Sequence, residues 1–271
     1  MKEADLVLFI GQSNMAGRGE ATTVLDLFAA YEYKAVSAPG QLFDLKEPFG
    51  VDENRADGIN DVFSGGIKAK TGSMVTSFCN AYFRLTGTPV VGVSASKGGS
   101  SIEEWQPEAG TGYLKDAVNR YCEAKKYLEE NNIKINRTFA LWCQGETDGD
   151  LKTSKRDYVM KFNSFWKELH KFVPDLFLIK TGECNIPGEY KRYDEIRNAQ
   201  DEIISLHQNV HLASDAFMGM REKGLMKDAF HYLQTGYDLC GKDAGEKVAA
   251  FYLKEPEAFA IGHLLRHMKT L

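Results

Sequence analysis

Short, uninterrupted apolar runs alternate along the chain with longer stretches in which apolar residues recur every three or four positions. The runs are residues 6–10, 89–93, 137–143, 176–179 and 210–213. Their length and continuity predict β-strands that are buried on both faces. The longer stretches, each typical of a helix with one buried face, are residues 114–128, 158–169, 193–206 and 237–252. Strands alternating with helices predict an α/β protein, a three-layer α/β/α sandwich around a parallel sheet.

One segment, residues 37–73, interrupts this alternation. It contains Pro39 and Pro48, is rich in glycine, asparagine and aspartate, and shows no sustained periodicity. Long irregular segments in compact domains are usually functional loops or misassigned elements. Because no repeat, low-complexity tract or linker divides the chain, we predict a single domain over residues 1–271 with a long loop at about 37–73.

Composition narrows the possible partners. Apolar residues make up 43% of the chain, charged residues 26%, and the net charge is −5. A mildly negative net charge does not indicate the basic surface with which proteins bind nucleic acid or an anionic membrane. The first apolar run is shorter than a signal-peptide core, and no run approaches the roughly 20 residues of a membrane span. We expect a cytoplasmic protein without nucleic-acid or membrane partners; no pattern indicates its oligomeric state.

Cysteine and histidine spacing argues against metal chemistry. The five cysteines are odd in number, widely spaced and contain no Cys-x-x-Cys pair, so neither a disulfide framework nor a structural zinc site is indicated. No His-x-x-His or His-Glu-x-x-His pattern is present either. We therefore predict that the protein needs no metal.

A serine follows the first predicted strand. Ser13 lies just beyond Gly11, where its hydroxyl would project over the edge of the sheet beside backbone N–H groups. A Gly-rich turn in which Ser13 caps a helix explains the same residues. The segment is not the Gly-x-Ser-x-Gly nucleophile elbow, because Met15 stands where the second glycine would be required.

Three further segments place polar groups at predicted strand ends or before the last helix. Gly98 and Gly99 follow the second strand, and Gln144 follows the third. Paired glycines allow close backbone approach to a ligand, and a glutamine side chain supplies an N–H donor. Asp228 precedes His231 by three residues, a spacing at which the carboxylate can orient the imidazole. Alone, each segment is equally explained as an ordinary turn or a polar loop.

Together these segments resemble the SGNH hydrolases, in the branch of the sialate O-acetylesterases and the carbohydrate esterase family six acetylxylan esterases. The blocks that carry the resemblance are Gly11-Gln12-Ser13-Asn14-Met15-Ala16-Gly17-Arg18-Gly19, Gly98-Gly99-Ser100-Ser101-Ile102 with Trp105, Trp142-Cys143-Gln144-Gly145-Glu146-Thr147-Asp148, and Asp228-Ala229-Phe230-His231. They span most of the chain. The resemblance implies the SGNH hydrolase fold, a flavodoxin-like sandwich with a five-stranded parallel sheet, without metal or organic cofactor.

The resemblance also implies a reaction and its catalytic residues. Ser13 matches the nucleophile, His231 the general base and Asp228 the acid that orients it. These residues would remove an O-acetyl group from a small carbohydrate, such as an acetylated xylo-oligosaccharide or an O-acetyl sialic acid, through an acyl-enzyme.

The oxyanion hole implied by the resemblance has three donors. They are the Ser13 N–H, one glycine N–H and the side-chain amide of Gln144. Whether Gly98 or Gly99 donates is not decided by the sequence.

Five residues within the motifs are candidate substrate contacts: Gln12, Asn14, Arg18, Trp105 and Glu146. Arg18 could meet a substrate carboxylate or form an internal salt bridge. Trp105 could stack on a sugar or pack beneath a loop.

Other functions compete with this interpretation. A general short-chain carboxylesterase, lipase or thioesterase could use the same residues, although it would favour an apolar groove over the polar segment 37–73. A carbohydrate-binding protein without turnover would not need the serine, histidine and aspartate together. Nucleotide binding through Gly98 and Gly99 lacks the phosphate-loop spacing.

Overall fold

A seven-stranded sheet with the strand order β3-β2-β4-β1-β5-β6-β7 forms the centre of the computed structural model. The model describes the backbone of residues 1–267 and the side chains of residues 1–254. The strands are β1 (Glu3–Gly11), β2 (Ala30–Tyr33), β3 (Leu42–Asp44), β4 (Val90–Ser96), β5 (Lys134–Cys143), β6 (Asp175–Ile179) and β7 (Val210–Ser214). All neighbouring strands are parallel except β2 and β3, which are antiparallel.

The five predicted strands are confirmed as β1, β4, β5, β6 and β7. They lie side by side in the flavodoxin-like order. The expected total of five strands is wrong, because β2 and β3 extend the sheet beyond β4. Both are short, and β2 carries the buried carboxylate of Glu32, which accepts a hydrogen bond from the Gly50 N–H at 3.1 Å. A charged side chain at a buried position hides such a strand from a hydrophobic pattern.

Helices cover both faces of the sheet. They are α1 (Ser13–Ala16), α2 (Val75–Thr86), α3 (Tyr113–Glu130), α4 (Glu146–Asp150), α5 (Lys155–Leu169), α6 (Asp194–Leu206) and α7 (Gln234–His267). The four predicted helices are confirmed as α3, α5, α6 and α7. Neither α2 nor the short α1 and α4 was predicted. No described helix is long and apolar enough to cross a membrane.

The central strand β1 divides its side chains between two cores. Leu6, Leu8 and Ile10 pack in the core shared with α3, α5 and α6. Val7 and Phe9 point the other way, into the core shared with α2 and α7. This strict alternation is the period-2 geometry of a strand buried on both faces, and it confirms the three-layer sandwich. Residues 268–271 of the predicted domain lie outside the described part of the chain.

The segment 37–73 contains β3 and a short 3₁₀ turn (Ser64–Gly66), and is otherwise irregular. The guanidinium of Arg120, on α3, is fully buried and holds this segment against the sheet. It donates to the backbone oxygens of Glu53 at 3.0 Å, Ile59 at 3.3 Å and Ser94 at 2.9 Å. Its charge is balanced by Asp116 at 2.8 Å, whose carboxylate also accepts the Ile59 N–H.

Replacing Arg120 by methionine should lower the free energy of unfolding by about 3–5 kcal/mol, because Asp116 and three carbonyl groups would lose a buried donor. Urea denaturation measures this change. Lys126→Met on the same helix is the control, since Lys126 and Glu130 form an exposed pair, and its effect should stay within about 0.5 kcal/mol. Equal, small effects of both substitutions would contradict the anchoring role.

Candidate active site

Strands β4, β1 and β5 end level with one another, and Gly11 marks this edge. In the sheet register Gly11 pairs with Ser96 of β4 and with Cys143 of β5. The chain then turns sharply into α1, with φ of +141° at Gly11, and a Cβ there would lie 2.1 Å from the Cys143 carbonyl oxygen. Only glycine fits this position. The turn places Ser13 at the start of α1, directly over the sheet edge.

Ser13 lies at the end of a chain of hydrogen bonds that joins distant parts of the sequence. Its Oγ is 3.0 Å from His231 Nε2, and His231 Nδ1 is 2.8 Å from an oxygen of Asp228. The other carboxylate oxygen of Asp228 accepts the N–H groups of Phe230 and His231, each at 2.8 Å. The predicted serine, histidine and aspartate therefore lie in one line of hydrogen bonds.

Asp228 is held in its ionised form. Partial burial acts to raise its pKa, but hydrogen bonds from the Phe230 and His231 N–H groups and from the imidazole outweigh burial and leave the pKa below its ordinary value. An ionised acceptor at Nδ1 keeps the proton there and leaves Nε2 facing Ser13 as a proton acceptor.

A cavity of about 590 Å³ opens over Ser13. The turn after β1, the segment 37–73, the glycine loop after β4, α4 and the loop before α7 all contribute residues to its lining. Of the predicted site residues, Gln12, Ser13, Arg18, Gly98, Gly99, Glu146, Asp228 and His231 line this cavity. Three others, Asn14, Trp105 and Gln144, do not. Within residues 1–254, no group of three or more histidine, cysteine, aspartate or glutamate side chains could hold a metal ion.

The two glycines of the loop after β4 differ in their hydrogen bonding. The Gly98 N–H donates to Asp61 at 2.9 Å. The Gly99 N–H has no acceptor among the described residues, and Gly99 adopts a left-handed conformation with φ of +72°. Of the pair, only Gly99 keeps a backbone donor that is not already used within the protein.

Gln144 lies beneath the cavity, fully buried. Its Nε2 donates to the carboxylate of Asp148, to the Ser100 carbonyl at 3.1 Å and to Gln12 Oε1 at 3.2 Å. Its Oε1 accepts the hydroxyl of Tyr158 at 2.8 Å. The structure thus corrects the expected placement: the Gln144 amide protons point to internal acceptors and away from the cavity.

Arg18 and Trp105 both have structural partners. The Arg18 guanidinium faces Asp61, with N–O distances of 3.0 and 3.1 Å, and donates to the Gly17 carbonyl at 2.8 Å. Its charge is neutralised, which is the internal salt bridge that the sequence left as an alternative. For Trp105 the structure favours packing over the sugar stacking that the sequence also left open: Trp105 is fully buried, and its ring lies edge-on to that of Trp142, with 5.6 Å between the ring centroids.

Asn14, expected to contact substrate, is also buried, and the expectation is wrong for the same reason. It accepts the Tyr237 hydroxyl at 2.7 Å and donates to the Phe230 carbonyl at 3.2 Å and to Glu146. Asn14 therefore joins the nucleophile turn to the segment that carries His231. Its hydrogen bonds hold the Ser13 turn and the His231 segment together.

Glu146 is a buried carboxyl group at the wall of the cavity. One oxygen accepts from Asn14, and the other, Oε2, has no partner among the described residues. Burial raises its pKa to about 7. Near neutral pH the group is therefore partly protonated.

Several residues that line the cavity were not predicted. Asp61 and Phe63 come from the segment 37–73, and Lys97 and Lys227 flank the glycine loop and the histidine loop. Phe63 is 56% exposed at the cavity. The irregular composition of segment 37–73 signalled a functional loop, but no local pattern singled out individual residues in it.

The comparisons with known proteins agree with this geometry. A family model described as "Carbohydrate esterase, sialic acid-specific acetylesterase" matches residues 3–250. The chain belongs to this family. As a carbohydrate esterase it is a carboxylic ester hydrolase, which confirms the SGNH resemblance and the enzyme class, and disagrees with a binding protein that lacks turnover.

Solved structures show the same fold. A protein from Arabidopsis thaliana is 20% identical, with a TM-score of 0.68 over 92% of this chain and 98% of the other. NanS is 14% identical, with a TM-score of 0.58 over 94% and 98% of the two chains. A carbohydrate acetylesterase from Xanthomonas citri is 16% identical, with a TM-score of 0.53 over 90% of this chain and 55% of the other. No curated protein matches the chain.

Replacing Glu146 by glutamine should flatten the pH dependence of stability in this esterase. Its folded pKa of about 7 lies above the ordinary value of 4.5, so the folded protein retains a proton that the unfolded chain releases. Its contribution to stability is therefore complete below pH 4.5 and is lost as the pH rises through 7. Between pH 5 and pH 8, the free energy of unfolding of the wild type should fall by roughly 2.5 kcal/mol more than that of Glu146→Gln, as measured by urea denaturation.

The matched control is Glu108→Gln, at an exposed position, which should follow the wild-type pH dependence. Parallel curves for Glu146→Gln and the wild type would show that Glu146 does not titrate in this range.

Proposed function

We propose that this esterase removes O-acetyl groups from a carbohydrate through Ser13, His231 and Asp228. The observation that carries the proposal is the hydrogen-bond chain from Ser13 Oγ to His231 Nε2 at 3.0 Å and from His231 Nδ1 to Asp228 at 2.8 Å. Family membership supports the acetyl-ester class of substrate.

The reaction proceeds through an acyl-enzyme. His231 Nε2 takes the proton of Ser13 as Oγ attacks the acetyl carbonyl carbon, and a tetrahedral oxyanion forms. The imidazolium then gives this proton to the departing sugar oxygen, so that the C–O ester bond breaks and the acetyl group remains on Ser13. A water molecule, deprotonated by His231 Nε2, then attacks the acyl carbon of the acyl-enzyme. The bond between that carbon and Ser13 Oγ breaks as the imidazolium returns the proton to Oγ, and acetate is released.

The oxyanion is stabilised by backbone donors at the sheet edge. The N–H groups of Ser13 and Gly99 have no acceptor among the described residues, and both residues line the cavity. The Gly98 N–H is held by Asp61, so we assign the glycine donor to Gly99. Donors fixed before the reaction stabilise the developing charge without reorganisation.

Two lysines at the cavity can contact an anionic sugar. Lys97 and Lys227 line it and donate to the carbonyl oxygens of Gly98 and Arg18, and neither has a carboxylate partner among the described residues. Arg18, by contrast, is neutralised by Asp61. The two lysines therefore offer ammonium groups without a direct carboxylate partner to the carboxylate of an O-acetyl sialic acid. An acetylated xylo-oligosaccharide has no such carboxylate.

A lipase or general carboxylesterase acting on long acyl chains fits this cavity less well. A lipase site needs an apolar groove, whereas charged side chains from five segments line this cavity, among them Asp61, Lys97, Glu146 and Asp150. Burying an apolar acyl chain against such groups would desolvate them without replacing their hydrogen bonds. A short acetyl group avoids this cost.

Substitutions in the proposed catalytic residues should reduce the rate in a graded order. Ser13→Ala and His231→Ala should each lower kcat for acetate release from p-nitrophenyl acetate by on the order of 10⁶. Asp228→Ala should cost less, because the Asp228 side chain is 47% exposed and water can replace part of its hydrogen bond. Wild-type activity in Ser13→Ala would refute the mechanism.

Lys97→Met and Lys227→Met should weaken recognition of an anionic sugar and leave the chemistry unchanged. We expect the double substitution to raise KM for an O-acetyl sialic acid by tenfold or more, about 1.4 kcal/mol. KM for an acetylated xylo-oligosaccharide should not change. Lys223→Met, at an exposed position away from the cavity, is the control. Equal effects on both sugars would exclude carboxylate recognition by these lysines.

A further inference from the structure

Gln12 stands next to the nucleophile and has received no role in the mechanism so far. It is the residue before α1, its side chain makes no capping hydrogen bond, and it is only 2% exposed. The small exposed part faces the cavity over Ser13. A buried amide in this position must satisfy one acceptor and two donor groups.

The oxygen of this amide is fully engaged. Gln12 Oε1 accepts the Gly145 N–H at 3.0 Å, the Thr147 N–H at 3.4 Å and the Gln144 Nε2 group at 3.2 Å. Rotating the amide by half a turn would place its own N–H groups against these three donors. The hydrogen-bond network therefore defines which end is oxygen and which is nitrogen.

The nitrogen, in contrast, has no acceptor among the described residues. Nε2 is not one of the fully buried atoms that lack a partner, so the small accessible part of the side chain includes the amide nitrogen. Its N–H groups are therefore open to a ligand or a reaction intermediate in the cavity. Since Gln12 lines the cavity at Ser13, the acceptor would come from the bound ester.

We propose that Gln12 Nε2 is the side-chain donor of the oxyanion hole, the role that the family resemblance implies for Gln144. The inference rests on the proposed function, because it concerns the oxyanion formed on Ser13. Gln144 acts through Gln12: its amide donates to Gln12 Oε1 and so helps to fix the plane of the Gln12 amide. Gln144 is thus a positioning residue, and Gln12 a catalytic one.

Gln12→Glu tests this assignment with little change in shape. A glutamate keeps an oxygen for the Gly145, Thr147 and Gln144 donors, and replaces the Nε2 donor by an oxygen. We expect kcat to fall by about 10²–10³, the usual cost of one oxyanion donor, with KM close to wild type. The thermal midpoint should be lower than that of the wild type, because the new carboxylate is buried. Gln208→Glu, at an exposed position, controls for the added charge and should match the wild type.

A Gln12→Glu protein that is folded and retains kcat within threefold of wild type would overturn the proposal. The wild-type protein provides a second test that does not depend on how the variant folds. A crystal structure of the wild type labelled with a fluorophosphonate should place the phosphoryl oxygen about 2.7–3.1 Å from Gln12 Nε2.

If that oxygen instead contacts Gln144 Nε2, or lies beyond about 3.5 Å from Gln12 Nε2, the assignment to Gln12 is wrong while the serine mechanism stands. If the fluorophosphonate does not label Ser13 at all, the proposed function fails, and the role of Gln12 fails with it. The two failures are therefore distinguishable.

Discussion

The level ends of β4, β1 and β5 determine where the Ser13 turn, the glycine loop and Gln144 lie. Parallel strands that stop in register leave their last carbonyl and N–H groups at one edge. Here that edge is closed by two hydrogen bonds, from the Lys97 N–H to the Gly11 carbonyl at 2.9 Å and from the Gln12 N–H to the Cys143 carbonyl at 2.8 Å. After each of these strands the backbone turns away from the sheet, so that the next residues lie above its edge. The close approach at Gly11 permits this turn, since any side chain would meet the backbone of β5.

Beneath this edge lie the buried side-chain amides of Gln12 and Gln144, which form hydrogen bonds where a protein core usually has apolar contacts. Gln144 is surrounded by the hydroxyl of Tyr158, the carboxylate of Asp148 and the carbonyl of Ser100. Asp148 in turn accepts the Ile102 N–H at 2.9 Å. Such a network is costly if a single member is unpaired, and rigid if all are paired. Rigidity is what an oxyanion hole requires, because its donors must be in place before the charge develops.

The sequence predicted the parts of the molecule that depend on periodicity or on long motifs. The five central strands and the four long amphipathic helices follow from burial patterns, and the motifs located Ser13, Asp228 and His231 before any coordinates. The features that the sequence did not predict depend on tertiary contacts. The strand β2 carries the buried charge of Glu32, and Trp105 packs in the core although it lies within a motif. The direction of the Gln144 amide is likewise set by partners that no spacing reveals.

The segment 37–73 contributes to the charge of the cavity, although Ser13, Asp228 and His231 lie outside it. Its Asp61 accepts both the Arg18 guanidinium and the Gly98 N–H, so it cancels a positive charge in the cavity and leaves Gly99 as the free donor of the glycine pair. Arg120 holds the loop in place from the opposite side. A change at Asp61 would release the Arg18 charge toward the substrate, whereas Ser13 and His231, which lie outside this loop, would keep their geometry. The charge at this side of the cavity and the geometry of Ser13 and His231 are therefore held by separate segments of the chain.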